Sequence, residues 1–256
     1  MARRSPWPWI WLVLGGVYFV LPLWATLQFS LQARRGELSL LAYSNVLASP
    51  VFFNSFRFSL QAALLSILVS TLLVVPTAYL VQLRLPQARP AVELLTLLPL
   101  VVPGVVLVFG LIRSYNRTPL TNSRSGTYVL LIGGYVMLSL PYMYRAVDTG
   151  LRAINLRALT EAAQSLGADW LTTMLRVIFP NIYLALLSGA FITFAIVMGE
   201  FTIASLLSQP AFGPYISLLS NSKVYEPSAL AVISFALTWA SIAAVELLSQ
   251  RRRRQR

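Results

Sequence analysis

The feature that most constrains this chain is a succession of long apolar runs. A helix that crosses the hydrocarbon of a bilayer needs about 20 mostly apolar residues. Six stretches reach that length: about Trp7 to Leu31, Phe52 to Leu83, Ala91 to Ile112, Gly126 to Val147, Ile182 to Leu207 and Pro227 to Leu248. Each is expected to be helical, because lipid cannot satisfy exposed backbone groups. Of the 256 residues, 57% are hydrophobic and 11% charged, whereas a soluble domain carries roughly a quarter charged residues. The expected fold class is an all-α membrane protein with six transmembrane helices. No repeat or linker interrupts the chain, so residues 1–256 read as a single membrane domain. Arg3 and Arg4 precede the first run, as they would in a signal peptide. That run is too long and lacks a clear small-x-small site, so it reads as a retained span.

The missing residue types exclude whole classes of chemistry. With no cysteine and no histidine, there is no disulfide framework, Cys/His zinc site, Ser-His-Asp triad or thiol nucleophile. No catalytic residue and no metal site are expected. Lys223 is the only lysine, and Ser222 precedes it, so a G-x-x-x-x-G-K-[ST] phosphate loop cannot form. Any ATP this protein's work requires, with its Mg, must bind another chain. The net charge of +12 could suggest nucleic acid. The arginines cluster at the ends of apolar runs, however, which reads as membrane orientation and gives no reason to expect a nucleic-acid partner.

Lysine and arginine placement sets the expected orientation. With both termini cytoplasmic, the inner set is Arg3, Arg4, Arg84, Arg89, Arg145, Arg152, Arg157, Arg176, Arg251, Arg252, Arg253, Arg254 and Arg256. The outer set is Arg34, Arg35, Arg57, Arg113, Arg117, Arg124 and Lys223. Trp7, Trp9, Trp11, Trp24, Tyr79 and Trp239 fall near proposed span ends, where interfacial aromatics gather. Two loops are long: residues 32–51 outside, and residues 148–181 inside, between the fourth and fifth spans.

The inner loop has a pattern of its own. In "NLRALTEAAQSLG", Leu159, Ala162, Ala163 and Leu166 share one helical face. Asn155 can cap the start, and Gly167 can close the end in the left-handed conformation. Asp169 is a second cap candidate. Trp170, Met174 and Val177 or Ile178 then form a new apolar stripe, and Pro180 marks entry into the next span. This predicts two short helices joined by a glycine elbow. One reading is an interfacial helix lying on lipid. Against it, the polar face carries Glu161, Gln164 and Ser165, whereas anionic lipid favours basic residues.

Glu161-Ala162-Ala163, three residues, Gly167, nine residues, then Val177, Phe179 and Pro180 resembles the signature loop of binding-protein-dependent ABC importer permeases. The lead-in "LPYMYRAVDTGLRAIN" is in register at Pro141, Tyr142, Arg145, Leu151 and Ile154, with Asn155 where an aspartate is usual. The likeness covers about the last two-thirds of the chain. It implies that the two helices form a coupling element, with Glu161, Ala162, Ala163, Leu166, Gly167 and Asp169 docking on a separate ATPase. It also implies two ATPase subunits, a second permease (a copy or a related chain), an extracytoplasmic solute-binding protein, and residence in lipid in a bacterial inner membrane. The polyamine-type branch, whose relatives carry iron, thiamine and phosphonate, is the one that "GEFTIASLL" resembles. Sulfate and molybdate are further alternatives.

Candidates for the path are few. Glu200 lies several residues inside the fifth run. It either faces the path, where an acid would suit a cationic polyamine, or is structural, bonded to a neighbouring helix or protonated. Glu93 follows Pro90 at a cap position in the third run, and Glu246 ends the sixth. Pro22, Pro76, Pro99, Pro103 and Pro141 are either hinges or packing kinks. Asn54 and Gln61 are path groups or helix–helix glue, and Arg57 is expected to snorkel to headgroups. A carrier or channel working alone would need ion-coupling groups in the spans, and Glu200 is the one candidate.

Overall fold

A computed structural model describes residues 7–34, 37–237 and 239. In chain order the helices are α1 Trp7–Ser30, α2 Leu41–Leu47, α3 Pro50–Leu83, α4 Arg89–Val101, α5 Gly104–Tyr115, α6 Pro119–Asn122 and α7 Arg124–Arg152. There follow α8 Leu156–Ser165, α9 Trp170–Thr172, a π-helical stretch Thr173–Ile178, α10 Phe179–Asn181, α11 Tyr183–Gly199, α12 Thr202–Leu206 and α13 Phe212–Ser222. The last described helix is α14, Glu226–Leu237. Among the described residues the only β pairing is a single bridge between Arg34 and Glu37.

Three of these helices are long and apolar enough to cross a membrane: the Trp9–Ser30 part of α1, α3 and α7. Two further pairs qualify if each is one broken span: Pro86–Val101 with Gly104–Tyr115, bent by 102°, and Trp170–Asn181 with Tyr183–Gly199, bent by 78°. The third run is therefore not straight. Pro103 pushes Val102 into extended backbone (φ −84°, ψ 116°), and α5 starts afresh from it. Pro22, Pro76, Pro99 and Pro141 instead lie inside continuous helices, so one proline of the five coincides with a break. The fifth run is also divided, ending as α11 at Gly199 and resuming as α12. Arg3, Arg4, Arg35, Glu246, the arginine tail and most of the sixth run beyond Leu237 lie outside the described residues.

The chain packs as two compact units, Met1–Asn54 with Tyr215–Arg256, and Ser55–Pro214. In the first, no residue of the α1 window that could span is buried, with Trp7, Trp9, Trp11 and Trp24 all on the surface. Its C-terminal end is fixed by Ser30 Oγ against Tyr43 OH at 2.6 Å and by Phe29 against the Tyr225 ring, 5.0 Å between centroids. Asn45 Nδ2 donates to Glu226 Oε1 at 3.1 Å.

The second unit is built around α7 and α11. Gly150 faces Ala185 and Ile182, and a Cβ on Gly189 would stand 2.7 Å from the Met143 sulfur. Small residues let membrane helices approach this closely, where dispersion and polar contacts replace the hydrophobic drive. Ser70 and Ser139 hydrogen-bond across α3 and α7 at 3.2 Å in the buried interior. One core cluster gathers Leu131, Tyr135, Val197 and Ile203. The other gathers Val75, Tyr79, Met143, Leu151, Leu156, Met174 and Ile178, and it carries the segment 155–181.

Candidate functional site

That segment forms a bent two-helix element. The Asn155 side chain accepts from Ala158 N at 3.2 Å and caps α8. The helix closes at Gly167, whose φ is +80°, a conformation that costs an L side chain about 1–2 kcal/mol. Ala168 N then returns to Ala163 O at 3.0 Å, which satisfies one of the carbonyls every helix end leaves open. Asp169 Oδ1 accepts from Thr172 N at 3.0 Å and starts the second helix. Hydrogen bonds from Thr172, side chain first and backbone second, hold the Asp169 carboxyl below its ordinary range.

The buried face differs from the periodicity reading. α8 turns Leu156, Thr160 and Ala163 inward. Leu159 is half-buried, Ala162 is exposed, and Leu166 is 88% exposed. The reason is polar: Tyr79 OH donates to Thr160 Oγ1 at 3.3 Å from α3, and this rotates α8 so that Thr160 lies in the interior. Tyr79 is thus a buried anchor and not an interfacial aromatic. Beyond the elbow, Thr173, Met174 and Ile178 are buried, while Trp170, Leu171 and Leu175 stay exposed. Burying a side chain such as Leu156 or Met174 stabilises by roughly 1.5–3 kcal/mol, so the inner face holds the element down. Glu161 lies on the exposed side, paired with Arg157 at 3.0 Å. An exposed i,i+4 pair contributes only about 0.3–0.5 kcal/mol. Of the residues the sequence pointed to, Glu161, Ala162, Leu166, Gly167 and Asp169 are solvent-facing and Ala163 is buried.

Behind the element lies a charge cluster. Arg152 Nη2 meets Asp148 Oδ2 at 2.6 Å, and Arg89 Nε meets Glu93 Oε1 at 2.8 Å. Arg89–Asp148 and Arg152–Glu93, both at 3.5 Å, close the ring. From α3, Gln82 Nε2 donates to Asp148 Oδ1 at 2.7 Å. Two arginines and two acids cancel in charge and tie α3, α4 and α7 together where the bent element begins. Glu93 therefore works as an ion-pair partner and not as a cap, because α4 starts at Arg89 and leaves it beyond the first turn.

Glu200 sits at the break between α11 and α12. Its Oε1 accepts from Ile203 N at 2.8 Å and its Oε2 from Ala204 N at 3.1 Å, so both carboxylate oxygens cap α12. Several positioning residues escaped the sequence reading. Ser59 Oγ accepts from Phe212 N at 2.8 Å, and Gln209 Nε2 donates to Thr127 Oγ1 at 2.8 Å. The signal was available for the serines: Ser55, Ser59, Ser66 and Ser70, all buried, recur on one face of α3. Asn54 and Gln61, the polar groups singled out on that helix, are exposed, as is Arg57.

A family model described as "Binding-protein-dependent transport system inner membrane component" matches residues 6–255. A probable molybdenum ABC transporter permease protein of Haloferax volcanii is 30% identical over 221 residues, covering 81% of this chain and 77% of its own length. The spermidine/putrescine transport system permease protein PotB of Escherichia coli is 24% identical over 176 residues, 63% of each chain. Among solved structures, a bacterial ABC transporter involved in the import of the acidic polysaccharide alginate superposes with a TM-score of 0.67 at 18% identity, covering 98% of both chains. That likeness is one of fold.

Proposed function

The chain belongs to the family of binding-protein-dependent transport system inner membrane components, and from that premise we propose that it forms half of an import path and couples it to a separate ATPase through residues 155–181. It is a transport permease subunit of a membrane, and chemistry on ATP falls to another chain. One observation carries the coupling reading. The elbow presents Leu166 at 88% exposure, flanked by exposed Ala162 and Trp170, while its inner face is anchored to the helices behind. A bare leucine at the tip of the element, with exposed Trp170, Leu171 and Leu175 beyond it and Glu161 beside it, suits a groove on a partner protein.

In this reading both termini are cytoplasmic, and ATP-driven closure of the partner pushes α8 and the elbow. The ion-pair cluster carries that push into α4 and α7. A second permease completes the path, and an extracytoplasmic binding protein delivers cargo. Residues 1–256 act as one transmembrane domain. The polyamine expectation leaned on Glu200 facing the path, and a carboxylate with both oxygens capping α12 gives it little support. The relatives are named for molybdenum and for spermidine and putrescine, so cargo has to be argued from the path itself.

The test is copurification and coupling. The complex purified from membranes should carry an ATPase whose hydrolysis rises when binding protein is added. Glu161→Lys or Gly167→Pro should abolish uptake while leaving the chain in the membrane. Wild-type uptake from both variants would remove the coupling role.

A further inference from the structure

Beside the ion-pair cluster of α4 and α7 stands a further arginine, Arg145, that belongs to none of its pairs. Arg145 lies in α7, seven residues before that helix ends at Arg152, on a helix long and apolar enough to cross a membrane. It is exposed on the helix surface. Ion pairs among the described residues occupy Arg89, Arg152 and Arg157, and none includes Arg145. A charged group on a spanning helix is costly in lipid and belongs in a water-filled cavity or against a counter-charge.

Two cavities meet at this side chain. One, of about 460 Å³, is bounded by Glu93, Thr96, Tyr144, Arg145, Asp148 and Arg152. The other, of about 490 Å³, is bounded by Tyr142, Arg145, Thr149 and Ser188 among others. The carboxylates of the first, Glu93 and Asp148, are paired with Arg89 and Arg152. Tyr142, Thr149 and Ser188 line the second together with Arg145, beside Ala146, Ala185 and Ile192, and no acid lines it. A guanidinium with hydroxyl donors is the donor set that oxyanions accept from, and its planar fork matches an oxyanion edge.

We propose that Arg145 reads the cargo on the inner half of the path, and that the cargo is a small oxyanion and not a polyamine. The proposal rests on the permease reading. Polycations would meet this side chain with repulsion and find no free carboxylate nearby. The same chemistry could come from a lipid phosphate to which Arg145 snorkels, so the experiment separates the two sources.

The natural chain has no cysteine, which makes Arg145→Cys a unique thiol in this subunit. In inside-out vesicles carrying the whole transporter, an impermeant thiol reagent should label it, and the cysteine-free chain gives the blank. Uptake of molybdate, sulfate, phosphate and putrescine by right-side-out vesicles loaded with ATP and supplied with binding protein identifies the cargo. Uptake of the accepted oxyanion should fall at least about tenfold in Arg145→Gln, through KM, with partial recovery in Arg145→Lys; tenfold corresponds to about 1.4 kcal/mol. Putrescine as the cargo, an unlabelled Arg145→Cys as expected for a lipid-facing site, or wild-type oxyanion uptake by Arg145→Gln would each overturn the proposal. Binding protein failing to stimulate hydrolysis in the wild-type complex would instead defeat the permease reading, and this proposal with it.

Discussion

At Gly167 one helix ends and the next is capped two residues later by Asp169. At Glu200 one helix ends and the next begins at Thr202. The first break uses separate parts: a glycine at φ +80° closes α8, and a different residue starts α9. Both lie at an exposed surface, where water serves any backbone group left over. The second break sits among apolar side chains, with Ile203 and Ala204 fully buried. There the first N–H groups of α12 that are buried, those of Ile203 and Ala204, find both acceptors on one carboxylate. A polar group that reads as a cargo site in a greasy run can thus also serve its own backbone.

This contrast is most easily broken at Glu200. Glu200→Ala strips the acceptors from two buried N–H groups, at about 1–3 kcal/mol for each. The thermal midpoint of the detergent-solubilised chain should drop sharply. Glu200→Gln keeps an acceptor oxygen and should lose clearly less. Equal losses from the two variants would mean that the charge, and not the capping, is what this position needs.

A smaller effect is expected at the elbow. No atom lies near enough to Gly167 to meet an added Cβ, so a substitution there tests backbone strain alone. Gly167→Val should destabilise by about 1–2 kcal/mol, with faster proteolysis between α8 and α9 as the readout. Gly167→Asn should recover most of it, since asparagine tolerates the left-handed region. A Val variant as protease-resistant as wild type would show that the elbow does not depend on this conformation.

The two breaks also differ in how far they can be read from residues. Asn155, Gly167 and Asp169 announce themselves because capping chemistry is local: each bonds within a few positions of itself. The apolar runs announce membrane helices for the same kind of reason, since length and composition suffice. What stayed hidden depends on partners far along the chain. Thr160 turns inward because Tyr79 waits 81 residues earlier, so the buried face of α8 is not its most apolar one. Glu93 pairs with Arg152 and Asp148 with Arg89, each 59 positions apart. Periodicity cannot show a polar contact that only packing creates. Nor could it show that the third run breaks at Val102 while Pro76 and Pro141 lie inside unbroken helices, because a proline's effect depends on what surrounds the bond it removes.

The smallest expected effect sharpens the exposed side of the comparison. The Asp169 carboxyl titrates below its ordinary value because Thr172 hydrogen-bonds its charged form. A depressed folded-state pKa means that the stabilisation is present above the unfolded value of about 3.9 and is lost as pH falls through the lower folded value. Asp169→Asn keeps a good capping oxygen but cannot titrate. Wild type should therefore exceed Asp169→Asn by a small margin that is constant from neutral pH down to about 4 and closes below it. Asp148, Glu161 and the other acids are common to both proteins, so the difference between their melting curves against pH isolates this one group. A margin that persists unchanged at pH 2–3 would mean that the Asp169 charge does not serve the cap, and that α9 is held instead by the burial of Met174 and Ile178 alone.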